Sequence, residues 1–93
     1  MSSLALKAVR AKIARPEHWT QHHYEITNAD NEPAYCLIGA AVAAGVSIYY
    51  AVGDDIETSK LANGAAYFND TSTHAEVLAE LDRLIAIKEA RGE

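Results

Sequence analysis

The segment from Thr73 to Arg91 constrains the fold more than any other part of this chain. Thr73 and Glu76 have the spacing of a capping box, in which the threonine hydroxyl accepts a backbone N–H and the glutamate reaches back. His74, Val77, Leu78, Leu81, Leu84 and Ile85 then recur at helical spacing and form one apolar stripe. Arg83, Lys88 and Arg91 follow toward the C-terminal end, where the helix dipole favours cations. Ile87 falls well off the stripe and is expected to be either exposed or a partner contact.

The rest of the chain divides at its turn residues. Ser2 or Ser3 caps a first helix to about Ala14, and Pro16 stops it. Leu6, Val9 and Ile13 share one face of that helix, and Leu4, Ala8 and Ala11 share the opposite one. A helix apolar on two sides packs between layers or supports an oligomer. His18 to Thr27 reads as extended or irregular, and Asn28 to Pro33 is rich in residues that bond their own backbone, so it is a loop. Ala34 to Ala44 reads as a buried helix ended by Gly45, with Gly39 and its alanine neighbours allowing close backbone approach. Asp54 or Asp55 caps a short helix to about Ala62, Asn63-Gly64 is a turn, and Tyr67-Phe68 reads as a short extended piece. The expected fold is mainly α, one domain over residues 1–93 with about four helices. A short two-stranded β element from Trp19–Ile26 and Tyr67–Phe68 is compatible with it, and α+β is the alternative class.

Charge is distributed unevenly. Lys7, Arg10, Lys12 and Arg15 precede any acid, whereas residues 16–59 hold seven acids and neither lysine nor arginine. A basic helix next to an acidic stretch is suited to an acidic surface, within the chain or on a partner. Ordinary solvated faces are the plainer account, since exposed ion pairs contribute little. Lys7, Arg10 and Ile87 are the candidate partner-binding residues. A net charge of −5 argues against nucleic acid, which is bound by neutralising phosphates. The longest apolar stretch, Cys36 to Val46, is about half a membrane span. Lys7 and Arg10 interrupt the N-terminal apolar residues, so no signal peptide is expected. A single cysteine forms no internal disulfide and fits a reducing cytoplasm. With 49% hydrophobic residues the chain is expected to fold, and at 93 residues a homodimer would relieve its shortage of buried area.

Two clusters carry the residues with chemistry. Tyr35-Cys36-Leu37-Ile38-Gly39-Ala40-Ala41 puts the cysteine at a helix start, where free backbone N–H groups stabilise a thiolate. Phe68-Asn69-Asp70 comes some thirty residues later. A nucleophilic thiol needs a base oriented by a third group. His18, His22, His23 and His74 are candidate bases, and Asn69 and Asp70 candidate orienters. A cysteine-dependent hydrolase or transferase is therefore one reading. The structural alternative has Cys36 as a small buried residue, with Asn69 and Asp70 accepting from the free amides at the start of its helix. His18 and His22 would share a helical face, yet the segment follows a proline and no second ligand cluster completes a zinc site. No metal or cofactor is expected.

Trp19, Tyr35-Cys36-Leu37-Ile38-Gly39-Ala40, Phe68-Asn69-Asp70 and Glu76-Val77-Leu78-Ala79-Glu80-Leu81-Asp82 together form an ordered pattern. It resembles a family of small uncharacterised proteins of actinobacteria and their phages, mycobacteriophages in particular. Members often carry tryptophan before the cysteine, where this chain has Tyr35. The resemblance implies no known activity. It implies a phage accessory protein in the cytoplasm of an actinobacterial host. The expected function is accordingly a non-enzymatic protein that binds a host protein, with no nucleic acid and no membrane as partner. A structural phage component is a further alternative.

Overall fold

A computed structural model describes residues 2–93, so Met1 of the expected domain lies outside the described residues. Helix α1 (Ser3–Lys12) begins at Ser2, whose hydroxyl accepts the Leu4 N–H at 3.1 Å. Leu6, Val9 and Ile13 are fully buried. The opposite face is not: Leu4, Ala8 and Ala11 are exposed, so α1 packs on one side only.

The C-terminal helix α5 (His74–Ala90) has the expected capping box, with both halves formed between Thr73 and Glu76. Val77, Leu81, Leu84 and Ile85 are buried along the expected stripe, and Ile87 is half-buried. The two long helices run antiparallel. Lys7 pairs with Glu89 at 2.6 Å, Arg10 grips Asp82 at 2.6 and 3.2 Å, and the Ile13 carbonyl meets His74 Nε2 at 2.6 Å. Lys7 and Arg10 of the basic helix thus find acids within the chain.

Between these helices the chain builds a hairpin and three short helices. Strand β1 (Glu25–Thr27) pairs antiparallel with β2 (Pro33–Tyr35), Ile26 opposite Ala34. The expected loop joins them: the Asn28 side chain accepts the N–H groups of Asp30 and Glu32, both at 2.9 Å, as asparagine does in turns. The β element therefore exists, but its first strand is Glu25–Thr27 and not Trp19–Ile26, and its second is Pro33–Tyr35 and not Tyr67–Phe68. Tyr67 and Phe68 belong to helix α4 (Ala65–Asp70), where Ala65, Phe68 and Asn69 are buried at helical spacing.

Helix α2 (Leu37–Ala43) starts three residues later than expected, because Ala34 and Tyr35 are taken up by β2. Gly45, at φ 80°, ends it. Helix α3 (Ile48–Val52) follows, then two 3₁₀ turns over Gly53–Thr58 and Lys60–Asn63 where one short helix was expected. Asp55 caps nothing there. Its carboxylate turns to α5, meeting Lys88 at 3.3 Å and Arg91 at 2.7 and 3.1 Å. All five helices contribute to one apolar cluster, from Leu6 and Leu37 to Val52, Phe68 and Leu81. No single helix among the described residues is long and apolar enough to cross a membrane.

Candidate functional site

The two chemistry-bearing clusters meet at Asn69, in the last turn of α4. Its side chain is fully buried and fully used. The carboxamide oxygen accepts from the Trp19 indole N–H at 2.8 Å and from the Leu37 backbone N–H at 3.1 Å. The nitrogen donates to the Thr20 carbonyl at 3.0 Å and to Asp70 Oδ1 at 3.1 Å. Because Trp19 and Leu37 can only donate, the oxygen must face them, which fixes the orientation of the amide. All four of its bonding positions are filled. Leu37 is the first residue of α2, so Asn69 supplies an acceptor for an amide the helix leaves free. Gln21 closes the other side, its amide donating to the carbonyls of Asn69 at 3.2 Å and Ser72 at 2.8 Å.

Asp70 extends the junction outward. Its Oδ1 accepts the His22 backbone N–H at 2.8 Å, and its Oδ2 lies 3.5 Å from His22 Nδ1. Burial opposes ionisation of this carboxyl. The His22 N–H, the Asn69 amide and the neighbouring imidazoles of His22 and His23 outweigh it and hold its pKa below the ordinary range. His22 itself sits at φ 69°, a conformation rare outside glycine.

Cys36 is only 4% exposed. Its sulfur accepts the Gly39 N–H at 3.4 Å, so it acts as the N-cap of α2. Its own N–H donates to the Tyr24 carbonyl at 3.3 Å. Cys36 is one of the residues lining a surface cavity of about 380 Å³, with His22, His23, Tyr24, Ala66 and Asp70. The fold therefore gathers four of the candidate residues, Cys36, His22, His23 and Asp70, around one hollow, while Asn69 is buried and bonds Asp70. Among the described residues no histidine hydrogen-bonds the Cys36 sulfur, and no group of three or more His, Cys, Asp or Glu side chains is arranged to hold a metal.

The other histidines are elsewhere. His74 bonds the Ile13 carbonyl and lies against Trp19, ring centroids 5.6 Å apart. His18 Nε2 is 3.2 Å from Glu32 Oε1. Of the candidate partner residues, Lys7 and Arg10 are engaged with α5.

A family model for a family of unknown function matches residues 3–87, nearly the whole described chain. The chain belongs to DUF6197. The match spans every residue of the junction, from Trp19 to Asp70, so the Asn69 hub and the cavity that Asp70 lines lie inside the family's domain. Searches of curated proteins and of solved structures returned no match.

A second hollow adjoins the first across Tyr24. It is a groove of about 410 Å³ lined by Tyr24, Glu25, Ile38, Gly39, Val42 and Ala43. Gly39 is what lets the Tyr24 backbone and α2 meet at its base: a Cβ there would stand 1.8 Å from the Tyr24 carbonyl oxygen. Tyr24 and Val42 remain 68% and 69% exposed. Tyr24, Ile38 and Val42 are not among the site residues expected from the sequence. The four-residue spacing of Ile38 and Val42 was visible, but in a helix apolar all round it does not say which side stays uncovered.

Proposed function

We propose that this DUF6197 protein is a binding protein that engages a protein partner through the surface around Tyr24. The observation that carries this is how the polar residues of the junction are used. Asn69, Gln21 and Asp70 spend their hydrogen bonds inside the chain, while Tyr24 and Val42 stand exposed beside them. Exposed tyrosine beside aliphatic side chains is the composition of an interface centre, not of a solvated surface. The motif resemblance supports placing the protein among phage accessory proteins that act in the cytoplasm of an actinobacterial host, with a host protein as the partner. The test is affinity capture from actinobacterial lysate with the purified protein, with a Tyr24→Ser variant as control. A specific protein retained by the parent and lost from the variant supports the reading. A chain that stays monomeric and retains nothing specific sinks it.

One observation favours a second reading, thiol chemistry at Cys36. Cys36 lines the same cavity as the His22–Asp70 pair. In this reading Asp70 orients His22 and His22 takes the thiol proton, giving a nucleophile for hydrolysis or group transfer. Alkylation of Cys36 in the folded protein decides it. Rapid labelling below neutral pH that slows in a His22→Ala variant supports chemistry. Protection until denaturation assigns Cys36 to capping and packing alone.

A further inference from the structure

We propose that the groove between β1 and α2 is the seat of the partner and that its occupant is an extended apolar peptide segment flanked by lysine or arginine. This rests on the binding reading above and names the chemistry of what is bound. Ile38, Val42 and Ala43 form one wall and Tyr24 the other, so the groove offers apolar contact to a side chain of modest size. At Gly39 the missing side chain makes room for the Tyr24 carbonyl, so the base of the groove is closed by the chain's own backbone. Strand β1, which contributes Glu25 to the groove, is paired on one side only, with β2. A strand with a free edge accepts an extended segment, whose main-chain bonds supply affinity and whose alternate side chains supply selectivity.

The charge preference follows from what surrounds the groove. Glu25 lines it and has no ion-pair partner among the described residues. Other acids do have partners: Asp70 with His22 at the adjoining cavity, Glu17 with Arg15, Glu32 with His18, and Asp55 with Lys88 and Arg91, among others. Residues 16–59 contain no lysine or arginine that could neutralise Glu25 locally. Lys7 and Arg10 are held by Glu89 and Asp82. An unpaired carboxylate beside an apolar wall selects a cation next to an apolar side chain. A second copy of this chain fits less well. An isologous contact centred here would bring two Glu25 carboxylates together in a pair of chains each carrying −5.

Three fluorescent eight-residue peptides test this by polarisation: a leucine–valine core flanked by lysines, the same core flanked by glutamates, and a serine core flanked by lysines. Saturable binding of the first alone is expected, weakening as salt is raised. Val42→Glu, at an exposed helix position, should lower affinity by about tenfold or more, the equivalent of one buried apolar contact. Glu25→Lys should shift preference toward the glutamate-flanked peptide. Circular dichroism melts confirm that both variants fold. Absence of saturable binding, or equal binding of all three peptides, overturns the proposal. A concentration-dependent dimer abolished by Val42→Glu also overturns it, by making a second copy the occupant. If a host protein is captured equally by parent and Val42→Glu, the groove is the wrong seat while the binding reading stands. If neither peptide nor host protein is bound, both fail.

Discussion

Trp19 donates its indole N–H to the Asn69 carboxamide oxygen at 2.8 Å across 50 positions of sequence, and the same oxygen accepts the first amide of α2. One buried side chain thereby ties together the irregular segment after α1, the start of α2 and the end of α4. Asn69→Ala would leave the Trp19 and Leu37 donors without partners. Each unsatisfied donor costs about 1–3 kcal/mol, so a loss of about 2–4 kcal/mol is expected, read as a fall in the urea midpoint at unchanged slope. Asn69→Asp keeps both acceptors but sets a second carboxylate beside Asp70. It should retain more stability than Asn69→Ala at pH 4 than at pH 8, where two adjacent charges repel.

That junction was partly legible in the sequence, and the way it was legible is instructive. An asparagine and an aspartate in a short loop-like cluster satisfy nearby amides, so a bond from Asn69 to the start of the Cys36 helix was expected and is present. The secondary structure of the same cluster was misread. Tyr67 and Phe68 have strand-favouring side chains, and only the burial of Ala65 and Asn69 on either side reveals helical spacing. Asp55 looked like a cap because capping is a local property. Its actual partners, Lys88 and Arg91, lie 33 and 36 residues away, beyond any local pattern. The exposed side of α2 was likewise invisible, because apolar residues surround that helix and only the tertiary fold decides which are covered.

Gly39→Ala is expected to be among the most damaging single substitutions. Its Cβ would fall 1.8 Å from the Tyr24 carbonyl oxygen, and that oxygen is backbone, held by the Cys36 N–H. Strand and helix must separate to admit the methyl group. Overpacking of this kind costs about 1–3 kcal/mol or more, and the thermal midpoint should drop accordingly. Gly45→Ala makes a useful contrast. It meets no neighbouring atom but sits at φ 80°, so its smaller cost comes from backbone strain alone.

Acid stability should depend on Glu80. It is 2% exposed and accepts from Ser59 Oγ at 2.8 Å, from the Lys60 N–H at 3.0 Å and from both arms of Arg83 at 2.8 Å. Burial opposes its ionisation, yet the Arg83, Lys60 and Ser59 hydrogen bonds prevail and lower its pKa from 4.5 to about 2. A carboxylate whose folded pKa is depressed stabilises fully above its unfolded pKa and loses that contribution as pH falls through the folded value. Glu80→Gln should therefore cost about 1–2 kcal/mol at pH 7, after discounting for solvent around the half-exposed Arg83. The difference from the parent should shrink between pH 4.5 and about 2. Chemical denaturation at a series of pH values measures it.

The Asp55 cluster should respond asymmetrically. Lys88 is 1% exposed, its ammonium 3.3 Å from Asp55 Oδ2, while Asp55 is also clasped by Arg91 at 2.7 and 3.1 Å. Asp55→Ala strips the buried Lys88 of that carboxylate, and breaking a buried pair from one side costs about 3–5 kcal/mol. Lys88→Met leaves Asp55 paired with Arg91 and keeps the volume filled, so it should cost about 1 kcal/mol or less. Equal losses in urea denaturation would show that the Arg91 contact carries nothing.

The partition between the two hollows is built of main chain. The Tyr24 carbonyl is pinned from one side by the Cys36 N–H and from the other by the bare Cα of Gly39. No side chain can be added at Gly39 without separating strand from helix, whereas the exposed Tyr24 side chain above this contact is free to change. Substitutions that reshape either hollow without moving this contact are those at the rims, at positions 22, 23 and 66 on one side and 38, 42 and 43 on the other. Two neighbouring hollows with a fixed spacing and freely variable edges can change what they bind without refolding.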